Sequence, residues 1–271
     1  MARLTGTHLL ILAIVLLFLA ARLDAWWQDR EWLAAADAAA TGITQAQARL
    51  QDERLGIDLL PDGHYLSHEQ IDGLLRSTGD RPGTFTYRRK PQGIYTVSAQ
   101  GLDGRQHISN QYLQGYAPFT VSNVMLPMYV IAQRKSYMFD HVQYRGQMDV
   151  WQTSREGFLY PRGDCEDHAI VLADWLIEMG EDARVVIGDY RGTGHAWVVL
   201  FKDGREYLLE ATRKEGVSPS RTYPLALLEP GYHPQVMFNR HLLWVNTGSR
   251  FNSRYSGKQW SLRSRLHRRP L

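Results

Sequence analysis

A single thiol serves the whole 271-residue chain: Cys165, set within Gly163-Asp164-Cys165-Glu166-Asp167-His168. Cysteine is a nucleophile as thiolate, a form favoured at a helix N-terminus or beside an imidazole. The flanking residues supply the first condition. Asp164 stands where an N-cap belongs and Asp167 at N3, an acidic capping-box pattern. Ala169, Leu172, Ala173 and Leu176 follow the i, i+3, i+4, i+7 spacing of a buried helical face, and Gly180 is placed to close the helix. Cys165 therefore opens a helix. The best proton acceptor is His195, which starts the strand-like run "HAWVVLF" after "RGTG". Asp203-Gly204 reads as a two-residue hairpin turn between that run and "REYLLEA". In that register Lys202 faces Arg205 and Trp197 faces Glu210. His195 then shares a face with Glu210 as a diagonal neighbour, about 7–8 Å away and within reach of long side chains. A carboxylate there would fix the imidazole tautomer and stabilise its cation. A longer hairpin loop would break this relation.

Bland alternatives stand beside each position. Cysteine is often buried and inert, a strand-start histidine is often a surface residue, and Glu210 could be an exposed strand residue. His168 is a second imidazole, one turn from the thiol. Trp151 and Gln152 could contribute to an oxyanion hole, against the simpler roles of core tryptophan and surface glutamine.

These residues need elements to hold them. Residues 1–25 carry an unbroken apolar run, Leu9 to Ala21, long enough with its flanks to approach a bilayer's thickness as a helix. A cleaved signal peptide competes, but no clean small-x-small cleavage site follows. Trp26 and Trp27 suit a membrane interface, and Arg3 weakly places the rest of the chain outside the cytoplasm. The expectation is an inner-membrane, single-pass protein with its catalytic domain in the periplasm. In such an oxidising compartment one cysteine cannot form an internal disulfide. Residues 26–115 read as a membrane-proximal region: a helical stalk over Glu31 to Leu55, a short helix capped by Ser67 and Gln70, then three strands in "TFTYRRK", "GIYTVSA" and "RQHISNQYL". Residues 116–247 hold the catalytic domain, with Pro127 near a helix start. Residues 248–271 contain no acid and read as a solvated basic tail, contact with an anionic surface being the other explanation. The formal charge of +3 is too small to argue for nucleic acid.

"GDCEDHA" opening a helix, "GHAW" opening a strand and "LLEAT" ending the next resemble the Cys, His, Asp order of the transglutaminase-like superfamily. With the upstream "DVWQTSREGF", they are similar to its bacterial transglutaminase-like cysteine proteinases; the match spans Tyr144 to Thr212, about a quarter of the chain. The resemblance implies an α+β, papain/transglutaminase-like core, a Cys-bearing helix packed on an antiparallel sheet, after the anchor and the small helical/β region. It implies Cys165 as nucleophile, His195 as general base and acid, and Glu210 as orienting carboxylate, although the family usually has Asp at the last position. No cofactor is required. Asp164, Glu166 and Asp167 crowd the thiol with negative charge; capping accounts for two of them, while the resemblance implies Ca²⁺ at Asp164 and Glu166.

The expected activity is that of a membrane-anchored cysteine hydrolase, protease or amidase, acting through an acyl-enzyme on a protein or peptide of the cell envelope. Transfer of the same acyl group to an amine is the alternative enzyme. A catalytically idle binding module of the envelope is the non-enzymatic one.

Overall fold

The computed structural model describes residues 56–60, 63–78, 84–88 and 93–267. The N-terminal anchor, Trp26, Trp27 and the Glu31–Leu55 stalk lie outside the described residues. Among those described, no helix is long and apolar enough to cross a membrane.

In chain order the elements are β1 (Gly56–Leu59), β2 (His64–Leu66), α1 (His68–Ser77), β3 (Phe85–Arg88), β4 (Ile94–Gly101) and β5 (Gln106–Ile108). Then come α2 (Leu126–Arg134), β6 (Ser136–Tyr137), α3 (Asp140–Gln143), β7 (Val150–Trp151), α4 (Ser154–Leu159), β8 (Arg162–Gly163) and α5 (Cys165–Glu178). The remainder is strand: β9 (Asp182–Tyr190), β10 (Thr193–Lys202), β11 (Arg205–Leu209), β12 (Tyr232–Phe238), β13 (Leu242–Asn246) and β14 (Trp260–His267). The architecture is α+β. Eight antiparallel strands form one sheet in the order β11-β10-β9-β12-β13-β14-β1-β2, and β3-β4-β5 form a second small sheet to which β7 adds in parallel.

Local chemistry explains the frame. Ser67 and Gln70 form the expected capping box at α1. Thr153 and Glu156 form another at α4, a pattern that "TSRE" carries. Pro127 sits in the first turn of α2, where its missing N–H costs nothing. Asp203 and Gly204 both have positive φ, 52° and 69°, as a tight hairpin turn demands. Strand β10 then pairs with β11 in the register that turn dictates, Lys202 opposite Arg205 through Val198 opposite Leu209.

Helix α5 is buried well beyond one face: Ile170, Val171 and Trp175 are as inaccessible as the predicted Ala169, Leu172, Ala173 and Leu176. It packs with Ala196, Val198 and Leu200 of β10 in the main core. The alternate residues Trp197 and Val199 join a second cluster on the opposite sheet face, with Val186, Met237 and Tyr255. Both faces of the central strands are therefore covered. Opposite His195 stands Gly188 of β9, and any Cβ there would collide with the His233 carbonyl and the Trp197 ring.

Two expected boundaries do not hold. Residues 26–115 and 116–247 are not separate bodies where described: β1 and β2 belong to the large sheet and β7 pairs with β4. Residues 248–271 are not a solvated tail. Strand β14 lies between β13 and β1, with Trp260, Ser264 and Leu266 buried. Its sequence alternates bases with inward residues, and the outward arginines disguised it.

Candidate active site

Helix α5 begins where the sequence places it, with Asp164 as N-cap and half-buried Cys165 as the first helical residue. The parallel pairing of β8 with β6, Gly163 beside Tyr137, sets the entry of the chain into the helix. Asp167 reaches back so that its Oδ2 accepts the Asp164 N–H at 3.3 Å, and its Oδ1 accepts the Gln152 N–H at 2.7 Å. A fixed first turn presents the thiol at the open end of the sheet.

His195, Glu210 and Cys165 come together there. His195 Nε2 donates to Glu210 Oε2 at 2.8 Å, which leaves Nδ1 for the sulfur, and Cys165 is close enough to act on the charge of the ring. Glu210 follows directly on the last residue of β11, the diagonal position expected from the hairpin. Its second methylene is accommodated. Oε1 accepts from Thr212 N–H at 3.1 Å and Thr212 Oγ1 at 2.6 Å, and Oε2 also accepts the Tyr232 hydroxyl at 2.7 Å. The imidazole is enclosed by Tyr190, Trp197 and Tyr232, with ring centroids at 5.8, 6.2 and 6.3 Å.

The electrostatics follow from these contacts. Burial alone would depress His195, but hydrogen bonds and charge from Cys165 and Glu210 outweigh it and lift the imidazole to about 10. Burial would raise Glu210, yet the His195 hydrogen bond and charge, with Thr212 and Tyr232, bring it down to about 2. Near neutral pH the pair is imidazolium and carboxylate. Thr212 lies two residues beyond Glu210 in the sequence. Tyr232 gave no such local signal, because β12 joins β9 through a non-sequential pairing.

On the other side of the sulfur lies the acid cluster. Cys165 Sγ is 3.3 Å from Glu166 Oε2. Carboxylate oxygens of Asp140, Asp164, Glu166 and Asp167 lie within 4.8 Å of one another. Asp140 Oδ1, Asp164 Oδ1 and Glu166 Oε1 are buried without a hydrogen-bond partner. Burial pushes Asp140 up to about 7 and raises Asp164, Glu166 and Asp167; repulsion within the cluster adds to it at Asp140, Glu166 and Asp167, while a hydrogen bond with Glu166 opposes it at Asp164. Three buried, unpartnered carboxylate oxygens on members of one such cluster are a donor set for a hard divalent cation. Capping therefore accounts for Asp167 but not for Asp164 Oδ1 or Glu166. Asp140, 24 residues before Asp164, gave no spacing signal.

Trp151 and Gln152 do not line an oxyanion hole. Trp151 is a core residue whose Nε1 donates to Asp149 at 2.7 Å. Gln152 is fully buried; its amide donates to Tyr144 and to the Arg162 carbonyl, and its oxygen accepts from Lys135 at 2.8 Å. His168 is also buried. Its Nδ1 donates to the Asp164 carbonyl at 2.6 Å, and its Nε2 accepts from the Lys214 ammonium at 2.8 Å. Burial, with the charges of Lys135 and Lys214, holds His168 well below the usual imidazole range, so it is neutral. Lys214 ties the segment after Glu210 to the turn that carries Cys165.

The model of the family described as CEP76 peptidase-like domain matches residues 149–270, which include Cys165, His195, Glu210 and strand β14. No curated protein matches the sequence. Among solved structures, Legionella pneumophila LapG is 18% identical over 51% of this chain and 75% of its own, with a TM-score of 0.39. Its EGTA-treated form gives 18% over 50% and 72%, TM-score 0.38. A chain from Cytophaga hutchinsonii, provisionally described as a cysteine protease, is 15% identical over 46% of this chain and 39% of that one, TM-score 0.31. At these scores the sheet order and site geometry of the chain itself carry the functional inference.

Proposed function

We propose that this protein is a cysteine hydrolase that cleaves an amide bond of a protein or peptide, with Cys165 as nucleophile, His195 as proton carrier and Glu210 as the carboxylate that orients it. The observation that carries this is the His195 Nε2–Glu210 Oε2 bond at 2.8 Å, made by an imidazole whose charge the sole thiol also favours. Nothing structural requires a buried imidazolium at the helix start, whereas acyl transfer does. The match to a peptidase-like family over residues 149–270 supports the same chemistry.

In the first half-reaction the thiolate attacks the carbonyl carbon and the carbonyl oxygen becomes an oxyanion. The Cys165 N–H, a first-turn donor without an intrahelical partner, is available to it. Collapse of the adduct breaks the C–N bond; His195 Nδ1 gives its proton to the departing amine and a thioester remains. Water then adds to the thioester while His195 takes its proton, and the carboxylic acid leaves as the thiolate and imidazolium re-form. Glu210 stays ionised throughout, holding the ring in place. Asp140, Asp164 and Glu166 would hold a calcium ion, which would supply charge neutralisation beside the nucleophile.

Anchoring through residues 1–25, with the catalytic domain in the periplasm, completes the proposal; it rests on the apolar run and its aromatic flank. The substrate is then an envelope polypeptide. Comparing envelope proteins of cells carrying wild type or Cys165→Ala tests this: a polypeptide that is shortened only with the intact thiol is the expected result. A product enlarged by cross-linking or amine labelling, with no cleavage, would overturn the hydrolase in favour of acyl transfer.

A further inference from the structure

A cavity of about 90 Å³ opens beside Glu210, between the start of α2 and the loop that follows β11. Met128, Val217 and Tyr223 give it an apolar wall, and Arg213 and Arg221 line it as well. Glu210 is its only acidic lining residue, and both oxygens of that carboxylate are already taken by His195, Thr212 and Tyr232. Arg221 Nη1 donates to the Gly216 carbonyl at 2.8 Å, which fixes the guanidinium against its own loop while other N–H groups remain. Arg213 donates its backbone N–H to the Glu210 carbonyl at 3.1 Å, and its guanidinium has no ion-pair partner among the described residues. Two exposed arginines thus line a hollow whose one acidic lining residue, Glu210, is engaged with the imidazole.

We propose that this cavity is a specificity subsite of the Cys165 centre that takes an acidic side chain of the polypeptide substrate, glutamate above all. The proposal rests on the cysteine-hydrolase reading and names the substrate that reading leaves open. The apolar wall accommodates methylenes, and the guanidiniums accept the carboxylate in the forked geometry that arginine favours. A lysine or arginine in the same place would meet like charge, so the pocket rejects as well as selects. Because Glu210 forms part of the wall, the selected residue lies close to the scissile amide.

The test uses the full-length protein and three peptidyl acyloxymethyl ketones that differ only in bearing Glu, Gln or Lys at one position near the warhead, scanned over the flanking positions. Labelling of Cys165 is followed by mass spectrometry and normalised to each protein's own iodoacetamide rate. At one position the Glu probe should label roughly tenfold faster than the Gln probe, the scale of one charge-assisted pair, with Lys slowest. Arg213→Glu should reverse the order of Glu and Lys. Equal rates for the three probes, with a normally alkylated thiol, would remove the subsite and leave the hydrolase standing. A preference that persists in both Arg213→Glu and Arg221→Glu would also remove it. A thiol inert to every probe and to iodoacetamide would remove the hydrolase and the subsite together.

Discussion

Glu210→Gln keeps the shape of the orienting side chain and removes its charge, so it isolates what the carboxylate contributes. Glu210 is held at about 2 against an ordinary 4.5, a displacement worth roughly 3 kcal/mol at about 1.4 kcal/mol per unit. Its side chain is 12% exposed, so solvent screening takes little of this. The larger displacement of His195, from 6.5 to about 10, also contains the thiol's contribution, and adding the two would count one interaction twice. Roughly 3 kcal/mol falls at the low end of the cost of breaking a buried ion pair from one side. For a domain of this size that corresponds to a melting temperature lower by about 6–12 °C. The pH dependence has a definite sign. The Glu210 contribution is complete above about 4.5 and disappears as pH falls through about 2, while that of His195 is complete below about 6.5 and disappears as pH rises through about 10. Calorimetry at pH 6, inside both windows, should show the full loss. Iodoacetamide labelling supplies the functional arm: without its counter-ion the imidazolium is weakened, and the ratio of the Cys165 labelling rate at pH 6 to that at pH 9 should fall about tenfold or more, the rate equivalent of about 1.4 kcal/mol. A variant that melts within about 2 °C of wild type at pH 6, with an unchanged rate ratio, would refute the assignment of Glu210 as the partner that charges the ring.

Calcium should raise the melting temperature by about 5–11 °C at a hundredfold excess over its dissociation constant, equivalent to about 2.7 kcal/mol, and EGTA should reverse it. Glu166→Gln should lose that response; equal melting with calcium and with EGTA would show that the cluster holds no such ion. Lys214→Met, which cuts the tie between the Glu210 segment and the turn bearing Cys165, should slow alkylation of Cys165 several-fold while costing about 1 kcal/mol of stability, the scale of one hydrogen bond. Lys214→Arg should recover much of the rate, and an undiminished rate in Lys214→Met would dismiss Lys214 as a positioning residue.

Local rules made the cysteine helix and the hairpin legible, because each is written in contiguous residues. Asp164 caps α5, Gly180 closes it with φ at 85°, and the Asp203-Gly204 turn fixes the β10–β11 register. That register alone predicted the side-chain pair His195–Glu210. What stayed hidden depends on contacts between distant segments. Asp140 enters the acid cluster from α3, Tyr232 reaches Glu210 from β12, and Lys214 meets His168 across 46 residues. Gln152 misled because a polar side chain was expected outside, whereas it is buried with its amide and carbonyl both engaged. The arginines of β14 misled in the opposite direction: charge suggested solvent, and alternation placed only every second residue inside.

Strand β14 ties β1 and β2 to the rest of the large sheet. Its insertion between β13 and β1 gives the protein a fixed order of assembly. During synthesis β1 can pair with β2 early but cannot join the rest of the large sheet until residue 267 is released, roughly 10–40 s later at 5–20 residues per second. In that interval Ile57 and Leu59 have Leu66, Ile71, Tyr95 and Ile108 of their cluster within the emerged chain but lack the cover of Leu266. Trimming the chain before Trp260 would make that exposure permanent, leaving a hairpin without a sheet and a sheet with a raw edge at β13.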